Sequence, residues 1–208
     1  MKEDGKEMLS AQQQSVVNEG HTFSVTRGFT SDNTCRKLAA LAAEGRIRVL
    51  GICFGHQILA QALGGQVTRH ESGLFLGKRS FCVEPNEALL WREATCSVMY
   101  SHSDVVSLLP PGALSLGGSV RCNVEGMVVG RHMLSLQGHP ELSTASPSAR
   151  RCMRVLTQHF AAEGMATREV ADEALADAGS ALPNALALQQ ALILFLRSGL
   201  CTKTMDAT

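Results

Sequence analysis

Cys53 stands between two glycines in the run Gly51-Ile52-Cys53-Phe54-Gly55-His56-Gln57, directly after a short apolar stretch and directly before a helical one. A cysteine where a strand turns sharply into a helix has the setting of a nucleophile elbow, with a thiol in place of the hydroxyl. In that reading Gly51 and Gly55 relieve collisions at the tight turn. The helix that begins near Phe54 turns its free N–H groups and positive end toward the sulfur, which favours thiolate over thiol. The Phe54 amide then faces the space where an attacked carbonyl gathers negative charge, as one half of an oxyanion hole. The plain alternative is a buried structural thiol at a strand end, because free cysteines are often small core residues. The flanking glycines count against it.

A thiol nucleophile needs a base. Of the seven histidines, His139 has the most telling setting: it follows the short apolar run Met133 to Leu136 and precedes Pro140-Glu141. Pro140 stiffens the loop, and Glu141 is close enough to hold one imidazole nitrogen while the other faces the thiol. His102 lies among Ser101, Ser103 and Asp104 and reads as a hydrogen-bonding loop residue rather than a base. The other cysteines, at 35, 82, 96, 122, 152 and 201, form no Cys-x-x-Cys pair, so neither a disulfide framework nor a zinc knuckle is expected. No metal-ligand spacing and no phosphate-cradling glycine motif occurs, and the expectation is a site without metal or cofactor.

The elements that must position these residues follow from periodicity. Arg46 to Ile52 is short, β-branched and apolar, and reads as the central strand of a mainly parallel sheet. Ile58, Leu59, Ala62 and Leu63 share one helix face before Gly64-Gly65 stops it. Upstream, a strand-like run from His21 to Thr26 leads through Gly28 to a helix over Thr34 to Glu44. From Gln66 to Val129 short strands and turns alternate, with strands predicted at Phe75 to Val83, Cys96 to Tyr100, Ala113 to Leu116 and Gly126 to Val129, mostly antiparallel. Met133 to Leu136 is a further buried strand. Three amphipathic helices are predicted near Ala149 to Glu163, Thr167 to Ala178 with Thr167 as its cap, and Asn184 to Arg197.

The chain's 208 residues suit one core rather than two. Nineteen basic residues cancel nineteen acidic ones, leaving no overall positive field for nucleic acid or an anionic membrane. The polar, acidic start from Met1 to Ser10 is unlike a signal peptide, and no run approaches the ~20 apolar residues of a membrane span, so a cytoplasmic protein is expected.

Gly51 to Gln57, followed by Gly64-Gly65 and by Gln137-Gly138-His139-Pro140-Glu141, resembles the class I, triad-type glutamine amidotransferase domain. Between them, Tyr100-Ser101-His102-Ser103-Asp104-Val105-Val106 and Leu109-Pro110-Pro111-Gly112 are similar to the segment that walls the glutamine pocket in that family. The resemblance covers roughly 25–200 and is nearest to stand-alone members that resemble the glutaminase half of guanylate synthase, including γ-glutamyl peptidases. It implies an α/β, flavodoxin-like three-layer sandwich with a mainly parallel central sheet and a small antiparallel subsheet. It implies Cys53 as nucleophile, His139 as general base, Glu141 as orienter, and oxyanion donors at Phe54 and at a glycine loop about where Gly28 stands. Gly55, Gln57, Ser101, His102 and Ser103 would hold the amino-acid end of the substrate. The implied reaction is hydrolysis of the glutamine γ-carboxamide or of a γ-glutamyl bond through a thioester, without cofactor, with an ammonia-accepting synthetase as partner.

The family's apolar first strand and helix have no counterpart in the polar residues 1–24. The amino-terminal strand is therefore expected to be missing, with 1–24 weakly ordered, the domain over 25–200 and a tail over 201–208. The competing expectation is a shortened, catalytically impaired scaffold that acts only through a partner.

Overall fold

Two short strands that end side by side determine where Cys53 and His139 meet. The computed structural model describes residues 31–83, 93–180 and 182–199. The run His21 to Thr26, Gly28 and the segments 1–24 and 201–208 lie outside the described residues. In chain order the elements are α1 (Ser31–Ala43), β1 (Val49–Ile52), α2 (Phe54–Ala62), β2 (Gln66–Arg69), β3 (Phe75–Val83), β4 (Thr95–His102), β5 (Asp104–Leu108), β6 (Ala113–Gly118), β7 (Gly126–Val129), β8 (Met133–Leu136), a 3-10 turn (Pro140–Leu142), α3 (Pro147–Ala162), α4 (Arg168–Asp177) and α5 (Ala185–Ser198).

Six strands form one sheet in the order β1-β8-β7-β6-β3-β4, and β2 pairs with β5 in a separate antiparallel ribbon. A small antiparallel subsheet is what the family resemblance implied, although neither of these two strands was predicted individually. Among the described residues the main sheet is mixed where a mainly parallel one was expected, and Arg46 to Ile52, expected at the centre, stands at its end. Among the described residues only β1 and β8 run parallel, with Val49 opposite Met133 and Ile52 opposite Leu136. The β3–β4, β3–β6, β6–β7 and β7–β8 pairs are antiparallel, and β1 ends the strand order. The reason is local: a connection as short as the one between β7 and β8, turning at Gly130 with φ 58, can join strands only antiparallel, whereas a parallel pair needs a long crossover. β1 and β8 are joined by most of the domain.

Side chains alternate across a strand, and β8 shows what each face meets. Met133 packs with Ala39 and Ala42 of α1, and Ser135 hydrogen-bonds His56 of α2. Leu134 and Leu136 instead join Leu188, Leu192 and Phe195 of α5, with Leu50 and Ile52 of β1 against the same cluster. Helices thus cover both faces of the β1–β8 pair, and the fold is α/β with three layers there. Each such buried side chain contributes roughly 1.5–3 kcal/mol relative to exposure. A second cluster sets Met153 and Phe160 of α3 and Ala174 of α4 against Leu76 and Met99. Ser146 caps α3 by accepting from the Ala149 amide, ahead of Pro147, so this helix starts two residues before its predicted position. Thr167 caps α4 as predicted.

Candidate active site

Because β1 and β8 are parallel neighbours, their carboxyl ends open on one edge of the sheet, where sites of α/β folds gather. Cys53 follows β1 there, and Gln137-Gly138-His139 follows β8. The Cys53 amide donates to the Leu136 carbonyl at 2.8 Å, and the Cys53 carbonyl accepts from the Gln57 amide at 3.1 Å, so one residue closes the sheet ladder and opens α2. Its backbone has φ 52 and ψ −104, a left-handed φ that a side chain adopts at a cost and that marks a strained elbow. A Cβ on Gly51 would lie 2.7 Å from the Gly55 carbonyl oxygen, so β1 and the first turn of α2 approach too closely for any side chain at 51. Gly55 behaves otherwise. A Cβ there would meet nothing within 4 Å, which corrects the expectation that Gly55 relieves a collision; its missing side chain leaves open space two residues beyond Cys53.

His139 is pinned from several sides. Its amide donates to the Met99 carbonyl at 2.8 Å, its carbonyl accepts from the Ser143 hydroxyl at 2.7 Å, and that hydroxyl accepts from the Met99 amide at 2.9 Å. Gln189 of α5 donates to the Pro140 carbonyl at 2.6 Å. A Cβ on Gly138 would run into Val98 Cγ2, so only glycine passes at that point. The ring Nδ1 shares a 2.6 Å hydrogen bond with Glu141 Oε1, and the His139 side chain is 13% exposed. Burial, the largest influence, pulls the His139 pKa down. The charges of Cys53 and Glu141, with a hydrogen bond to each, outweigh it and hold the pKa well above 6.5. The imidazole is thus bonded to a carboxylate and feels the charge of Cys53, which suits a Cys–His pair with an orienting acid.

Gln137 is fully buried and points its Nε2 at the Cys53 sulfur, 3.8 Å away. Its Oε1 accepts from Gln57 Nε2 at 3.2 Å, and the same nitrogen donates to the Asp104 carbonyl at 2.7 Å. Gln57 is thus buried with its amide nitrogen engaged inside the protein. The Asp104 carbonyl also meets His102 Nδ1 at 2.9 Å, and His102 stacks on Phe75 with ring centroids 4.9 Å apart. Ser101 and His102 close β4, and the Ser103 carbonyl accepts from the His70 amide. Burial lowers the pKa of His102 to about 4, with the nearby His139 and His70 charges adding to it. Burial likewise lowers His56 to about 4. Both rings are neutral near pH 7, which leaves His139 as the histidine able to carry charge beside the sulfur.

The structure brings Cys53, Phe54, Gly55, Gln57, His139 and Glu141 to one edge and joins Ser101 to Ser103 to them through Asp104. Gly28 lies outside the described residues. Sequence reasoning quoted Gln137 without giving it a part, although the period of two from Met133 through Ser135 already put it on the α2 side of the sheet. Among the described residues no group of three or more His, Cys, Asp or Glu is placed to hold a metal ion, and no helix is long and apolar enough to cross a membrane.

The family described as "Glutamine amidotransferase class-I" matches residues 10–155. The chain belongs to that family. Within it, the chain is similar to gamma-glutamyl peptidase 3 of Arabidopsis thaliana, 34% identical over 148 residues that are 66% of this chain and 58% of the relative. It is also similar to a glutamine-hydrolyzing GMP synthase subunit of Methanoculleus marisnigri, 41% identical over 96 residues, 46% of this chain and 52% of that one. The chain thus spans only a little over half the length of these curated relatives. A solved structure of a glutamine amido transferase from Methylobacillus flagellatus superposes with a TM-score of 0.65 at 22% identity, covering 85% of this chain and 72% of the other. That likeness carries the amidotransferase fold.

Proposed function

We propose that this protein is an amidohydrolase that cleaves the γ-carboxamide of glutamine or a γ-glutamyl bond through a thioester on Cys53. The observation that supports it most is the His139 ring, bonded to Glu141 at 2.6 Å at the strand end beside Cys53, whose charge helps raise the His139 pKa. His139 takes the thiol proton, and the sulfur adds to the γ-carbonyl carbon. The negative oxygen of the tetrahedral adduct lies toward the Phe54 amide at the start of α2. The adduct collapses as the carbon–nitrogen bond breaks, and His139 returns the proton to the departing nitrogen, which leaves as ammonia or an amine. Water then gives a proton to the same imidazole, attacks the thioester carbonyl and releases glutamate while the proton returns to sulfur. Glu141 holds the ring in the tautomer that both steps need and stabilises its charged form.

Ser101 to Ser103 and the open space at Gly55 are where the amino-acid end of the substrate is proposed to sit, with Gln57 acting from behind by fixing Asp104 and Gln137. The likeness to a GMP synthase component supports a synthetase as the acceptor of ammonia, and the likeness to a γ-glutamyl peptidase supports a free-standing hydrolase. The test is glutamate release from glutamine and from a γ-glutamyl dipeptide, followed for the wild type and Cys53→Ala. Release that disappears with Cys53 supports the proposal, and equal release by the variant overturns it.

A further inference from the structure

Glu125, in the turn before β7, is 3% exposed and takes no part in the chemistry above. Both of its carboxylate oxygens are engaged: Oε2 accepts from the Tyr100 hydroxyl at 2.8 Å and Oε1 from the Ser119 hydroxyl at 2.8 Å. Burial holds its pKa above the ordinary 4.5, against the pull of those two hydrogen bonds. A buried carboxyl is a costly core component, and apolar residues of similar volume often serve stability as well or better. Tyr100 packs among Phe75, Val98 and Leu136, an apolar setting that a phenylalanine would suit.

The backbone around the trio leads to the thiol. The Glu125 carbonyl accepts from the Gln137 amide at 2.8 Å, and Gln137 is the residue whose amide reaches Cys53. On the other side, a Cβ on Gly138 would lie 3.2 Å from Tyr100 Cζ, so the tyrosine ring is the wall against which Gly138 passes. Met99, next to Tyr100, accepts from the His139 amide. The segment Gln137-Gly138-His139 is therefore held between the Glu125 turn and β4, and the Glu125 carboxyl is the tie between those two supports.

We propose that Glu125, acting with Tyr100 and Ser119, is a positioning residue that fixes the Gln137 to His139 segment so that the Gln137 amide and the His139 ring both meet the Cys53 sulfur. This rests on the thiol reading of the site. The charges that set the His139 pKa are those of Cys53 and Glu141, and His102 and Cys152 also interact with His139 electrostatically. Glu125 is not among them. A change in the alkylation of Cys53 on altering Glu125 therefore reports displacement of the segment rather than a lost charge.

The experiment compares wild type, Glu125→Gln, Tyr100→Phe and Ser119→Ala by three readouts: kcat and KM for a γ-glutamyl substrate, the pH profile of Cys53 alkylation by iodoacetamide mapped by mass, and the urea midpoint. An ångström of misplacement can cost about a hundredfold in rate. The expected result is a kcat lower by roughly tenfold to a hundredfold in Glu125→Gln with KM within about twofold, and a displaced alkylation profile. Smaller changes of the same kind are expected in the two hydroxyl deletions. Variants that lose stability yet keep the wild-type kcat and alkylation profile overturn the proposal, since the trio is then only core. Should Glu125→Gln not fold, the single-hydroxyl variants decide by the same criteria. A wild type without hydrolysis counts against the proposed function alone, and the alkylation profiles still test the positioning.

Discussion

Acidification should unfold this protein through two histidines that do no chemistry. His56 and His102 are 0% and 6% exposed, and burial holds each near a pKa of about 4 instead of 6.5. In the unfolded chain both return to the ordinary value, so between pH 6.5 and 4 the unfolded state binds the extra protons. Their contribution is complete above pH 6.5, falls as the pH drops through that window and is flat below about 4. The gap corresponds to roughly 3 kcal/mol for each histidine, a large part of the ~5–15 kcal/mol that stabilises a domain. His139 does not mask the effect: its pKa is raised, so its contribution is complete below 6.5 and is lost only as the pH rises through the raised value. Glu125, also raised, gains protons on folding as the pH falls toward 4.5 and offsets part of the loss. Urea unfolding followed by circular dichroism at pH 7, 6, 5 and 4.5 should give a steadily falling stability. His56→Asn should be less stable at pH 7 and lose less with acid, by about one histidine's share. A stability that stays level from pH 7 to 4.5, or a variant with the full wild-type slope, would refute the reasoning.

Further predictions concern the site and the turns that shape it. Cys53→Ala and His139→Ala should each abolish glutamate release, whereas Glu141→Ala should leave residual activity because the base survives without its orienter; a coupled glutamate assay reads all three. Gly51→Ala and Gly138→Ala should each lose roughly 1–3 kcal/mol in urea unfolding, since their Cβ atoms meet the Gly55 carbonyl and Val98. Gly55→Ala should keep the wild-type midpoint and raise KM, as its Cβ enters space proposed for the substrate.

The elbow was legible because its determinants are local: strand, turn and helix lie within Val49 to Ala62, and the glycine at 51 is needed for a contact only four residues away. The placement of Gly138-His139-Pro140-Glu141 was legible for the same reason, with Glu141 two residues from the imidazole it holds. Gly55 was misread because a glycine on a turn looks the same in sequence whether it avoids a clash or leaves a gap. The antiparallel direction of the strands from Phe75 to Val129 was legible from the short turns between them, whereas nothing in Arg46 to Ile52 itself states which strands lie beside it, and among the described residues it ends the order instead of standing at the centre. β2 and β5 were missed because Gln66, Thr68, Arg69, Ser107 and Leu108 face outward and leave too few apolar positions for a period of two. The Glu125–Tyr100 tie joins residues 25 apart, and Gln137 reaches a sulfur 84 residues away. No local pattern encodes such pairs.

The central claim, that Cys53 is the nucleophile, is met most directly by labelling the native protein with a glutamine-analogue diazoketone and mapping the adducts by mass. Accessibility alone favours Cys82 and Cys152, which are exposed, over the half-buried Cys53. The account predicts one adduct, on Cys53, suppressed by glutamine or a γ-glutamyl peptide and lost in His139→Ala. Adducts that follow exposure, on Cys82 and Cys152 as much as on Cys53 and indifferent to glutamine, would contradict it.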